Sequence, residues 1–129
     1  MKNFDSWNIH KKHLEHIFSA CVQYHEREIW WCSIGINLGH EQDGKNSLSE
    51  RPVLVVKKFN PQIAWILPLS SKLKIGKYYY TVKSLQGSFT VILSQLRLIS
   101  VKRFRRYMKK LSPHQFQIVK SKLIDILLK

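Results

Sequence analysis

The sequence predicts a mainly β domain (α+β content): a small antiparallel barrel or sandwich with an N-terminal helical arm and C-terminal helices. Three observations predict it. Short runs of β-branched and aromatic residues recur through the middle of the chain, separated by Gly, Pro, Asn and Ser. Helical periodicity is confined to the two ends. The 129 residues are 44% hydrophobic and include four Trp, five Tyr and six Phe, enough for one domain around a single core.

The elements follow in order. Residues 1–26 read as a helical arm, with Asn8 as N-cap and Ile9, His13, His16, Ile17, Ala20 and Cys21 at helical spacing. His10, His13 and His16 spread over roughly 120° of such a helix, and no carboxylate cluster accompanies them, so a solvated or RNA-facing surface suits them better than a metal site. Residues 28–34 are aromatic, β-branched and apolar on both faces, as in a strand covered on both sides. Residues 35–50 form a Gly-, Asn- and Ser-rich loop. Residues 52–57 are a second buried strand, with Pro52 allowed as its first residue. A turn at 59–62 precedes a third strand at 63–67, closed by Pro68. Residues 78–82 and 88–93 are a fourth and a fifth, and 96–99 add a short sixth. Val101, Phe104, Met108 and Leu111 fall at i, i+3, i+7 and i+10, which predicts a helix with Lys and Arg on its other side. The Ser112-Pro113-His114-Gln115 run is a capping-box pattern. It opens a last helix whose face is Phe116, Val119, Leu123, Ile126 and Leu127.

Composition excludes several classes. No apolar run approaches the roughly 18 residues of a membrane span, and residues 17–22 are too short for a secretory signal. Two cysteines, Cys21 and Cys32, match neither a disulfide framework nor a zinc spacing. Cys32 lies in an apolar strand and reads as a core thiol. A cytoplasmic, folded, cationic domain is the expectation.

The charge points to a partner. Lys and Arg total 22 against 8 Asp and Glu, a formal net charge of +14, beyond the roughly 2–8 that solubility needs. From residue 51 to residue 124 there are sixteen Lys or Arg and no carboxylate. Their repulsion costs stability that a polyanion relieves, so RNA, DNA or an acidic protein segment is the natural partner. A carboxylate acting as acid or base would come from Glu41, Asp43 or Glu50. The phosphate-binding loop, the dinucleotide glycine fingerprint and the Gly-x-Ser-x-Gly elbow are absent. What stands out is Arg51, at the junction of a polar, glycine-flanked loop and a buried strand. Its planar fork suits a phosphate; the alternative is a surface Arg paired with Glu50. Ser70 and Ser71 offer hydroxyls at another strand end, where plain turn chemistry is the alternative. These groups suit RNA cleavage by the substrate's own 2′-OH, which needs no metal or cofactor.

Five segments, in this order, carry a resemblance: Glu28-Ile29-Trp30, Gly39-His40-Glu41-Gln42-Asp43-Gly44, Arg51-Pro52-Val53-Leu54-Val55-Val56, Pro68-Leu69-Ser70-Ser71 and Gln95-Leu96-Arg97. Over about residues 27–129 the chain resembles the PemK/MazF-like toxins of bacterial type II toxin–antitoxin systems. The resemblance implies an SH3-like β-barrel acting as a homodimer in the cytoplasm. It implies metal-independent, sequence-selective cleavage of single-stranded RNA, and neutralisation by an acidic antitoxin. By match Arg51 and Ser70 are catalytic, with Glu41 and Gln42 in the active-site loop. His40, Lys45, Ser71, Lys72, Lys74, Lys77, Arg97, Lys102, Arg103, Arg105 and Arg106 are the expected RNA-binding set. A non-catalytic RNA- or acidic-protein-binding module on the same barrel is the alternative. The chain departs from the family in a longer segment 45–50, in Ser where Thr is usual at 70, and in the arm 1–26.

Overall fold

The computed structural model describes Ser6, Asn8 and residues 22–34, 50–85 and 87–129. Among the described residues there are seven antiparallel strands and one long helix: β1 (Glu28–Ser33), β2 (Glu50–Lys58), β3 (Ile63–Ser70), β4 (Tyr79–Ser84), β5 (Gly87–Ile92), β6 (Arg97–Ser100), β7 (Phe104–Lys110) and α1 (Pro113–Leu128). The strand order is β4-β5-β3-β2-β1-β7, with β6 paired to β3 beside that path. Along one edge β3 changes partner. Ile63 to Ile66 pair with β6, while Leu69 and Ser70 pair with β5. Among the described residues no pairing joins β4 to β7, so the ladder is open where a barrel would close.

Apolar residues on both faces of β1, β2 and β3 build two cores. Trp30, Cys32, Val53, Val55, Ala64 and Ile66 face one cluster with Ile99, Val101 and Phe104. Ile29, Leu54, Val56, Leu67 and Leu69 face the other, with Val82, Val91, Leu93 and Leu111, and Phe116 and Val119 of α1 cover it. Successive strand side chains point to opposite faces, so a strand apolar at every position needs cover on both sides. Each fully buried Val, Leu, Ile or Phe contributes roughly 1.5–3 kcal/mol.

Helix α1 starts where its capping residues place it. Ser112 Oγ accepts from the Gln115 backbone N–H at 3.2 Å, with Pro113 in the first turn. The Gln115 side chain does not close the reciprocal half of a capping box. Its Oε1 accepts from the Tyr80 hydroxyl, which ties the start of the helix to β4. Leu127, expected on the buried face, is 78% exposed.

Three other expectations are corrected. There is one C-terminal helix, because residues 101–111 form a 3-10 turn (Val101–Arg103) and then β7. The stripe at i, i+3, i+7 and i+10 would have put four apolar residues on one surface. In the sheet they separate: Val101 and Phe104 enter the first core, Leu111 the second, and Met108 is exposed. Pairing with β1 satisfies an edge that is apolar on both faces, and that outweighs local periodicity. Pro68 does not close β3. It lies within the strand, opposite Val53, at the step where the other edge passes from β6 to β5. A residue without an N–H fits where no ladder bond is required.

The base of the arm is not helical either. Residues 22–25 have no regular structure. Tyr24 is fully buried in the first core, and its hydroxyl lies 2.6 and 2.8 Å from the carbonyls of Asn60 and Ile63. Lys58 Nζ donates to the Tyr24 carbonyl, and the Lys58 N–H donates to Glu26. Arg27 takes a φ of 76°, a left-handed conformation that costs a non-glycine roughly 1–2 kcal/mol. Bonds to Val55 and Leu111 hold it there.

Candidate functional site

Strand register assembles the site. Cys32 of β1 pairs with Arg51 of β2. The β2–β3 ladder ends at Leu54↔Leu67 and Val53↔Pro68. Counting its register on by two residues brings Arg51 level with Ser70, and Arg51 Nη1 reaches the carbonyl of Leu69, the residue before Ser70, at 3.0 Å. Ser70 pairs with Thr90 of β5, and Thr90 with Thr81 of β4. Residues opposed in this way share a face and sit about 5 Å apart at Cβ. Arg51, Ser70, Thr90 and Thr81 therefore form one polar row across four strands, continuing the face of the first core.

Burial makes this row more than turn chemistry. Arg51 is 7% exposed, Ser70 5% and Thr90 0%. Buried polar groups need partners. Arg51 Nη1 donates to the Leu69 carbonyl at 3.0 Å, which holds the fork against β3. Ser70 Oγ accepts from the Lys72 N–H at 3.1 Å, so the serine also shapes the turn that follows the strand. The Thr81 and Thr90 hydroxyls lie 3.3 Å apart. Arg51 is not the surface partner of Glu50. Glu50 is itself buried, and its Oε1 lies 3.4 Å from Nη2 of Arg106.

A group of arginines acts on Cys32, the strand neighbour of Arg51. Burial pushes the Cys32 thiol well up, while the charges of Arg103, Arg105 and Arg97 oppose that rise and Glu50 adds to it. Three arginines and Glu50 thus act on one thiol, the strand neighbour of Arg51. Arg103 Nη1 donates to the Ser33 carbonyl at 3.2 Å. Burial and the neighbouring Arg97 hold the Arg103 guanidinium below its usual range.

Other expected RNA-binding residues lie elsewhere. Arg106 turns to Glu50 and lies over the Trp31 ring at 5.1 Å. Lys102 shares the 3-10 turn with Arg103. Ser71, Lys72, Lys74 and Lys77 occupy the segment after β3, where Lys74 lies over Tyr79 and Lys77 over Tyr78. His40, Glu41, Gln42 and Lys45 lie outside the described residues, as do His10, His13 and His16. Among the described residues no three His, Cys, Asp or Glu side chains cluster as metal ligands, and no helix is long and apolar enough to cross a membrane.

Thr90 and Thr81 escaped the sequence reading. A hydroxyl inside a buried strand is a signal, but only the register says which residue it faces.

This arrangement of strands and helix is the one found in small β-sheet toxins. MazF of Deinococcus radiodurans matches with a TM-score of 0.67 at 19% identity, over 84% of this chain and 99% of that one. An endoribonuclease in complex with its cognate antitoxin, from a mycobacterial species, matches at 0.62 and 11%, over 81% and 95%. The Mycobacterium tuberculosis toxin MazF-mt6 matches at 0.60 and 14%, over 78% and 96%. At these identities the likeness is one of fold. No curated protein matches the sequence. Residues 25–127 match the PemK-like, MazF-like toxins of type II toxin–antitoxin systems, and the chain belongs to that family.

Proposed function

We propose that this chain is an endoribonuclease that cleaves single-stranded RNA at selected sequences without a metal ion. The observation that carries the reading is the burial of Arg51 and Ser70 on the neighbouring strands β2 and β3, with Arg51 Nη1 bonded to the carbonyl of Leu69, the residue before Ser70. In the reaction the 2′-oxygen bonds to the adjoining phosphorus and the bond from phosphorus to the 5′-oxygen breaks. The 2′-OH proton leaves to a base, and another proton reaches the 5′-oxygen. The products are a 2′,3′-cyclic phosphate and a 5′-hydroxyl. Arg51 stabilises the extra negative charge on the pentacoordinate phosphorus. Ser70 Oγ, which accepts from the Lys72 N–H, donates to a phosphoryl oxygen. Glu41 and Gln42 belong to the same site in this reading.

The test is RNA incubated with purified protein in EDTA, with the new ends mapped. Cyclic phosphate ends that Arg51→Ala abolishes support the reading. Tight binding without cleavage would instead favour a non-catalytic RNA- or acidic-protein-binding module.

The partners follow from the same surface. We infer that an acidic antitoxin neutralises this toxin by covering Arg51, since an endoribonuclease of similar fold was solved in complex with its cognate antitoxin. A disordered acidic segment can track the cations and offset its ordering cost through charge contacts and a few apolar anchors. The working form in this reading is a cytoplasmic homodimer of SH3-like barrels.

A further inference from the structure

Arg105 is one of two residues of β7 that its pairing with β1 passes over, Met108 being the other. Trp31 pairs with Arg106 and Cys32 with Phe104, so Arg105 is the extra residue of a bulge in β7. Bulges re-aim a side chain out of the regular alternation. The charge of Arg105 is felt at the Cys32 thiol, together with those of Arg97 and Arg103. Its Nε and Nη2 are buried and have no hydrogen-bond partner. Those two atoms form one edge of the guanidinium, with two parallel N–H bonds spaced to meet two oxygens of a phosphate. A charged donor edge left unmatched in a buried position is expensive, and native proteins rarely keep one unless something binds there.

Position identifies what binds. Cys32 is the strand neighbour of both Arg51 and Phe104. The bulge therefore lies about 10 Å, two strand spacings, from the Arg51 strand. Consecutive phosphates of an RNA strand lie closer together than that, and the long arginine side chains of residues 51 and 105 cover the difference, so a strand held at Arg51 would bring a flanking phosphate within reach of the bulge. Glu50, the acidic group that Cys32 senses, is engaged by Arg106.

We propose that Arg105 is the anchor of a second phosphate subsite, which takes an RNA phosphate flanking the scissile one, with Arg97 and Arg103 adding charge. The proposal rests on the RNA-cleavage reading above and adds a register to it. Holding a flanking phosphate fixes which bond lies over Arg51. Arg105 is thus a positioning residue.

The probe is a short 2′-O-methyl RNA, which cannot supply the attacking hydroxyl, selected for binding from a random pool. Each phosphate in turn is replaced by an uncharged methylphosphonate. Wild-type protein should lose roughly 10- to 100-fold in affinity when one particular flanking phosphate is neutralised, the range for a hydrogen bond to a charged group. Arg105→Met should bind the parent RNA more weakly by a similar factor and be indifferent at that position, while staying sensitive at the others. Arg105→Lys, which keeps the charge but not the fork, should fall between. An Arg105→Met protein with the wild-type pattern at every position overturns the proposal, as does a pool that yields no binder. If Arg105→Met does not fold, the Arg105 Nε–Hε NMR signal of wild-type protein decides. It should shift on adding the probe and stay put when the critical phosphate is neutral; a signal that ignores every probe overturns the proposal. Cleavage of ordinary RNA in EDTA is followed in parallel. Cleavage without this coupling removes the subsite and leaves the nuclease reading. Coupling without cleavage leaves the subsite and removes the nuclease reading.

Discussion

The same three strands, β1 to β3, present two faces built on different terms. One face is apolar along its length and is closed by Phe116 and Val119 of α1. The other is apolar through Val53, Val55, Ala64 and Ile66, then turns polar at Arg51, Ser70 and Thr90. On the first face burial is purely favourable. On the second, buried charge and hydroxyl groups are held by a few hydrogen bonds, and Arg97 and Arg103 repel each other nearby. The contrast teaches that a thin sheet can separate stability from chemistry, by giving each its own side of the same strands. A polar row would be hard to keep folded without the helix-covered face behind it.

Substitutions on the two faces should therefore fail in different ways. The largest effect on stability is expected from Phe116→Ala, a loss of about 3–5 kcal/mol in urea denaturation. Cleavage per folded molecule should be unchanged. Altered turnover in the folded fraction would break the separation. Arg51→Ala should lower the cleavage rate roughly 100- to 1,000-fold, with a smaller effect on the melting temperature. Wild-type rates in that variant would remove Arg51 from the chemistry. Ser70→Ala should slow single-turnover cleavage roughly five- to tenfold and leave RNA affinity nearly intact, because a hydroxyl engaged in the transition state acts on rate. A loss of affinity instead would make it a binding group.

Smaller effects sharpen the boundary between the faces. Tyr24→Phe removes the hydroxyl shared by the Asn60 and Ile63 carbonyls and should cost about 1 kcal/mol. No change in stability would mean that residues 22–26 are not needed to close the first core. RNA affinity should fall steeply with salt, and each lost phosphate contact should reduce the log–log slope by about 0.7. Arg105→Gln should show that reduction, whereas Arg106→Gln, whose charge is already met by Glu50, should show less of it. Equal slopes for the two would show that the pairing with Glu50 does not persist in solution.

Much of the fold was legible before any coordinates. Runs apolar on both faces announced β1, β2 and β3, and their ends moved by only a few residues. Ser112 and Pro113 announced the start of α1, since capping is a local matter of a hydroxyl, an orphan N–H and a restricted φ. Residues 101–111 misled, because a strand with one anchored aromatic residue and many cations can imitate a helical stripe. Arg51 and Ser70 could be named from their places at strand ends. Their shared row with Thr90 could not, because the three residues are far apart in the chain.

By itself the sequence determined the element types of the central strands and the last helix, the surplus of positive charge and the family. Each depends on neighbours within a few residues, or on composition, and both survive without a fold. Tertiary structure alone decided that β7 pairs with β1, that Glu50 meets Arg106 rather than Arg51, and that the bulge at Arg105 leaves a donor edge unmatched beside Cys32. Those outcomes depend on register between distant strands. A shift of one residue turns every side chain to the other face, so they are settled only when both cores pack together.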